Sequence, residues 1–318
     1  MHLVQRRAIA FLLFAAACVP PAPRPAYMEP PRPKERVERI DTLQDFLGPM
    51  RAELDTGKAQ EAWLGYEAKC SGLLAAAGAV VDDPGNAELI RLLASADAIV
   101  EVVGRFEQDA PKELDGVVEK MVQAMGGAPQ ISVAFAVSLG DAPVFRGAWE
   151  GRPLVLLNAR HPDVADPAQR RATIARELFR ALHRERVPGS PSLGPLADRI
   201  WREGAVSFAS RQLAPDATES QLLGVPEDKL VAARKRERAL AQELLATLDS
   251  GSELEAERFF DPSLKDPIIP RGGGPLIADR VYQRVAQELT SMTKPLWLPP
   301  SEFLAAARKQ LALMAQGR

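Results

Sequence analysis

The chain of 318 residues is poor in cysteine and histidine, with two of the first and three of the second. Cys18 lies in a leader-like segment, so Cys70 is the only thiol expected in a processed chain, and no internal disulfide can form. Stability must then come from packing, and Cys70, set in an apolar helical pattern, reads as a buried inert thiol. The chain also lacks a charge surplus. Its net charge of −2 gives no reason to expect a nucleic-acid partner. Ala233-Arg-Lys-Arg-Glu-Arg238 is basic, but acidic neighbours on the same helix make it a solvated face. Ser207 and Ser210 have no Gly-x-Ser-x-Gly frame and no Ser-His-Asp order around them. Gly272-Gly273-Gly274 is not followed by Lys-Ser or Lys-Thr, which excludes a phosphate loop. No internal repeat is present.

The N-terminal end carries a pattern of its own. Arg6 and Arg7 precede an apolar run, Ala8 to Ala17, that is too short to span a bilayer. Ala15-Ala16-Ala17-Cys18 resembles a bacterial lipobox, in which the cysteine is lipidated and becomes the new N-terminus. Plain secretion, with cleavage near the alanines, is the alternative. Residues 19–35 hold Pro20, Pro21, Pro23, Pro25, Pro30, Pro31 and Pro33, a density that suits an extended tether. The expectation is a domain lipid-anchored through Cys18 in the bacterial cell envelope. Val19, in place of an aspartate, resembles sorting to the outer membrane, with the domain facing the periplasm.

Apolar residues at helical spacing (Leu43, Phe46, Leu47, Met50, Leu54 and onward to Met125) predict a helical region over 36–127. Pro111 reads as the start of its last helix. Gly126-Gly127 ends the region, and 128–318 forms the second part. Ile131–Ser138 and Pro153–Asn158 read as strands, with Val144-Phe145 pairing back. Asp166 and Pro167 open a helix reaching Arg184, with Asp166 as its cap. A second helix covers 195–213. A long charged helix is expected over 226–248, a flexible hinge or turn at 272–275, and closing helices over 276–293 and 301–315. The fold class is α+β and mostly helical.

The most specific stretch is Thr173-Ile-Ala-Arg-Glu-Leu-Phe-Arg-Ala-Leu-His183, followed by Trp201-Arg-Glu-Gly204. A zinc peptidase motif reads His-Glu-x-x-His on one helix: two imidazoles one turn apart hold the ion, and the glutamate activates water. Here the frame is Arg176-Glu177-Leu178-Phe179-Arg180. The two motifs resemble a degenerate gluzincin-like metallopeptidase domain, of the uncharacterised predicted zinc-dependent protease kind. The resemblance covers about residues 130–290. It implies a zincin-like two-helix core behind a small sheet. By position, Arg176 and Arg180 stand at the ligand histidines, Glu177 at the general base and Glu203 at the third ligand. Zinc is the cofactor of the intact family and is predicted absent here, because a permanent cation cannot bind Zn²⁺.

Two readings of the arginines stand side by side. In one, they replace the metal as structural cations, pairing with Glu177 and Glu203 and tying the helices together. In the other, they point into solvent. His183, three residues after Arg180, could join Glu177 and Glu203 around a metal, but one imidazole gives little affinity for zinc. His161 reads as a cap or surface residue that could line the former cleft. The functional expectation is a catalytically dead, membrane-anchored module that binds a peptide or an envelope protein in that cleft, using an edge strand near Ile131–Ser138 or Pro153–Asn158. The alternatives are a hydrolase still using Glu177 as a base, and a silent structural lipoprotein.

Overall fold

The computed structural model describes residues 36–54, 58–81, 87–187, 193–261, 269–270 and 272–318. The leader, Cys18 and the proline-rich stretch lie outside the described residues, as do Asp82-Asp-Pro-Gly-Asn86 and Pro188–Pro191, whose prolines and glycines predict breaks between helices. The elements run β1 (Val37–Asp41), α1 (Leu43–Leu54), α2 (Ala59–Ala76), α3 (Ala87–Ala94), α4 (Ala96–Met125), β2 (Ile131–Ala136), β3 (Val144–Trp149) and β4 (Arg152–Asn158). They continue with α5 (Pro162–Ala165), α6 (Pro167–Arg186), α7 (Pro195–Leu213), α8 (Glu219–Leu223), α9 (Glu227–Arg234), α10 (Glu237–Thr247), α11 (Glu253–Phe260) and α12 (Gly273–Leu289). A 3₁₀ turn at Lys294–Trp297 and α13 (Pro300–Ala315) complete the set. The fold is α+β and mostly helical, as expected. Among the described residues no helix is long and apolar enough to cross a membrane.

The region expected to be purely helical opens instead with a strand. β1 pairs in parallel with β2, and Pro33–Arg318 forms one compact unit. Five residues of mixed polarity, Val37-Glu-Arg-Ile-Asp41, are too few to announce a strand by alternation. The sheet order is β1-β2-β4-β3, with β2 parallel to β4 and β3 antiparallel to it. The two strands expected at an edge, Ile131–Ala136 and Arg152–Asn158, are therefore the central ones, and β3 is an edge. Complete burial of Ile131–Ala136 explains its unbroken apolar character.

Three further boundaries differ from expectation. Pro111 does not start a helix; it sits inside α4, a single helix of 30 residues. Losing one backbone hydrogen bond there is outweighed by an apolar stripe buried on both sides of it, from Phe106 to Met121. The charged stretch 226–248 divides into α9 and α10, because no residue between Ala233 and Leu240 is buried to anchor a continuous helix. Of the hinge or turn expected at 272–275, the turn is what forms, at Gly272, and the helix begins at Gly273. Gly272 takes a left-handed φ of 81° ahead of α12, and a Cβ on Gly274 would lie 2.5 Å from the Phe259 carbonyl oxygen.

α6 and α7 agree with the sequence reading. The Asp166 carboxylate accepts from the Gln169 amide at 2.7 Å, and Pro167 takes the first helical position. α6 then runs on past Arg184 to Arg186, and α7 covers the expected 195–213. Both bury apolar faces, α6 against α4 and α7, and α7 against α12. The α7–α12 crossing is close. A Cβ on Gly204 would fall 2.6 Å from the Tyr282 ring and 2.8 Å from the Ala278 carbonyl oxygen, and the Tyr282 hydroxyl donates to the Trp201 carbonyl at 2.7 Å. The last glycine of the Trp201–Gly204 motif thus has a packing reason. Gly204→Ala is expected to destabilise the protein by about 1–3 kcal/mol through overpacking, measured as a lower urea midpoint with an unchanged slope.

Candidate functional site

Helical spacing puts Arg176, Arg180 and Arg184 along one face of α6, four residues apart, with Glu177 beside them. α7 brings Arg202 and Glu203 to the same place, and β3 brings Arg146. The Arg180 guanidinium is the centre of the cluster. Its Nη1 donates to Glu177 Oε1 at 2.5 Å and its Nη2 to Glu203 Oε2 at 2.7 Å. One side chain therefore joins the two motif helices. Glu177 is 3% exposed and takes a second guanidinium in a fork: Arg146 Nε donates to Oε2 at 2.7 Å and Nη2 to Oε1 at 2.8 Å.

The pairing expectation holds for Arg180 and fails for Arg176. The Arg176 guanidinium forms no ion pair with either glutamate and reaches the C-terminal end of α8. There its Nη1 lies 3.5 Å from the Gln221 carbonyl oxygen, over Gly224, where a Cβ would come within 2.3 Å of it. Gly224 has a φ of 64°, so a glycine is needed there for conformation and for space. The place foreseen for Arg176 belongs to Arg146. An isolated arginine in a short strand gave no sign of this, since its relation to Glu177 exists only once β3 has folded back on β4.

Burial and charge act against each other at these groups. Glu177 is raised by burial, but the Arg146 hydrogen bond and the Arg180 and Arg146 charges prevail and take it down to about 2. Glu203 also lies below the usual carboxylate range: Arg180 outweighs burial. Arg176 and Arg184 are both lowered, first by burial and next by the neighbouring Arg180.

Neither histidine belongs to the cluster. His183 points into the core, 1% exposed, with its ring 5.0 Å from Trp201, 5.8 Å from Phe179 and 6.3 Å from Trp297. Its Nε2 has no hydrogen-bond partner, and burial takes its pKa down to about 4. The idea of a Glu177–His183–Glu203 metal site is thereby corrected: the imidazole faces aromatic rings, since position 183 falls on the packed side of α6 against α7 and the 3₁₀ turn. His161 is the cap of α5, its Nδ1 accepting from the Asp163 amide at 3.1 Å. Ser207 and Ser210 donate to the Glu203 and Val206 carbonyls one turn back, at 3.1 and 2.7 Å, and are thus ordinary helix hydroxyls. Cys70 is buried, and burial raises its thiol.

The donor set does not fit zinc. Arg180 lies between the two carboxylates, and no imidazole is turned toward them. Among the described residues no group of three or more His, Cys, Asp or Glu could hold a metal ion. Three arginines of the cluster escaped the sequence reading. Arg184 was legible as one more turn of the Arg176–Arg180 row, and Arg202 adjoined Glu203; only Arg146 required the tertiary fold. Comparison with protein families, with curated proteins and with solved structures finds no match for the chain.

His183 makes a clear pH signature. Its folded pKa of about 4 lies below the ordinary 6.5, so the neutral form is favoured in the folded protein. The stability this contributes is present above pH 6.5 and is lost as pH falls toward 4. It amounts to at most about 3 kcal/mol. Urea midpoints measured from pH 7.5 to 4 should fall in the wild type, and His183→Phe should flatten that part of the curve. The loss due to Glu177 belongs to a lower window, between pH 4.5 and about 2.

Proposed function

We propose that the protein is a non-hydrolytic, peptidase-like module of the bacterial cell envelope that binds an extended peptide at the edge of its sheet. The reading rests on one observation: the guanidinium of Arg180 lies between Glu177 and Glu203, where a gluzincin-like site has its ion. A general base must be free to take a proton, with a pKa near the working pH. Glu177 has both carboxylate oxygens bound by arginines and titrates near 2, so it is a poor base. Cys18 and the prolines after it support attachment to a membrane surface, at the outer membrane facing the periplasm. Incorporation of labelled palmitate, lost in Cys18→Ser, tests that part.

β3 supplies a docking edge. The Asn158 amide donates to the Pro143 carbonyl at 3.0 Å, which sets the phase of the antiparallel ladder. Phe145, Gly147 and Trp149 then bond to β4, while the backbone groups of Val144, Arg146 and Ala148 point outward. Arg146, Gly147 and Ala148 are exposed. Those outward groups have no other backbone partner among the described residues. An open row of this kind accepts an extended chain by strand addition.

The test uses the full chain purified in detergent. Zinc by elemental analysis should be far below one ion per chain, and peptide hydrolysis should not differ between wild type and Glu177→Gln. Stoichiometric zinc, or hydrolysis abolished by Glu177→Gln, would return the protein to the hydrolases. Arg176→His with Arg180→His should gain zinc if the helix frame is that of the resembled family.

A further inference from the structure

The cluster holds more positive charge than its carboxylates can match. Five guanidiniums (Arg146, Arg176, Arg180, Arg184 and Arg202) meet three carboxylates, Glu177, Glu203 and Asp198. Arg146 and Arg180 are taken by Glu177 and Glu203. Arg202 Nε donates to both oxygens of Asp198, at 3.0 and 2.8 Å, and its guanidinium lies 4.9 Å over the Trp201 ring. Arg176 feels Glu177 and Glu203 at longer range but forms no ion pair, and its one hydrogen bond among the described residues is to the distant Gln221 carbonyl. Arg184 is exposed and has neither a carboxylate nor a hydrogen-bond partner among the described residues. Two positive charges are left over, at either end of a row whose middle member is buried.

Like charges four residues apart on a helix repel, so a row of three arginines weakens α6 unless something offsets it. Arg180 is neutralised within the fold; Arg176 and Arg184 are not. The cluster is open to solvent on one side, since the side chains of Arg146 and Glu203 are 49% and 37% exposed. Arg146 is shared between the cluster and the outward-facing residues of β3. A peptide side chain opposite Arg146 on an added strand would lie about 5 Å from it, Cβ to Cβ.

We infer that the bound peptide is acidic: carboxylates on alternate residues of a strand added to β3 face α6 and meet the unmatched, exposed guanidinium of Arg184 beside Arg146. The inference rests on the peptide-binding reading above and names the class of peptide. Guanidinium and carboxylate form the geometry-matched pair for this recognition, and the excess charge also favours encounter with an acidic partner.

The experiment is fluorescence anisotropy with two labelled octapeptides, one alternating Glu-Thr and one alternating Gln-Thr, titrated with the full chain in detergent. The Glu-Thr peptide should bind at least about tenfold more tightly at low salt, with the gap narrowing as salt rises. Arg184→Gln, at an exposed position in the last turn of α6, should remove most of the gap, and Arg184→Lys should restore part of it. Methylating alternate backbone amides of the Glu-Thr peptide should abolish binding. Equal affinity for the two peptides, or an Arg184→Gln variant that behaves as wild type, overturns the acidic preference and leaves the peptide reading standing. If neither peptide binds, the peptide reading itself falls. Competition by inorganic phosphate well beyond sodium chloride of equal ionic strength would instead assign the surplus charge to a small free anion and overturn the inference.

Discussion

A guanidinium buried between two helices must be paired on every side, and this requirement organises the centre of the protein. Removing Arg180 and Glu177 from most of their water costs several kcal/mol per ion unless hydrogen bonds replace the lost hydration. Arg180 meets the requirement by spending its two terminal nitrogens on carboxylates from different helices. Glu177 in turn needs a second cation, and β3 carries it. The contact therefore joins three elements, the consecutive helices α6 and α7 and the earlier strand β3. It holds α6 against α7 and fixes β3 beside them, so the edge strand and the arginine row are positioned by the same ions.

That arrangement has a chemical consequence. A carboxylate held by two guanidiniums is stabilised as the anion and resists protonation. The same pairs that stabilise the fold thus remove basicity from the one residue that a hydrolytic reading would rely on. Pairing is also incomplete at the periphery. Arg176 leans on the carbonyl end of a short helix and Arg184 reaches solvent, so the positive field is satisfied in the core of the cluster and unsatisfied at its rim. A second, half-buried network near the C-terminal helices follows the same logic, with Glu219 shared by Arg211, Arg234 and Arg280. No guanidinium of that network is left without a carboxylate.

Much of the site was legible because it is local. Four-residue spacing on a helix brings side chains to one face whatever the rest of the chain does. The row from Arg176 to Arg184 and the pairing of Arg180 with Glu203 could be foreseen, given that α6 and α7 pack together. Arg176 was misjudged because its rotamer answers to α8, a helix outside the motif. His183 was misjudged because a few tens of degrees around a helix separate a cleft from a core. Buried Arg170 escaped notice altogether. It lies 1% exposed against Glu113 of α4, with Nε and Nη2 donating at 2.5 and 3.0 Å, a pairing across 57 residues with no local trace.

Composition, caps and apolar periodicity by themselves determined a mostly helical α+β chain, the bounds of α7, the start of α6 and the existence of two apolar strands, though not their central place in the sheet. These follow from backbone geometry and side-chain patterning within a dozen residues. Only the tertiary structure decided that Val37–Asp41 joins the sheet, that β3 is an edge, that α4 runs through Pro111, and that Arg146 completes the charge cluster. Each of these depends on a partner far along the chain: a strand has an edge only relative to its neighbours, and a buried charge is tolerable only where a distant residue arrives to pair with it.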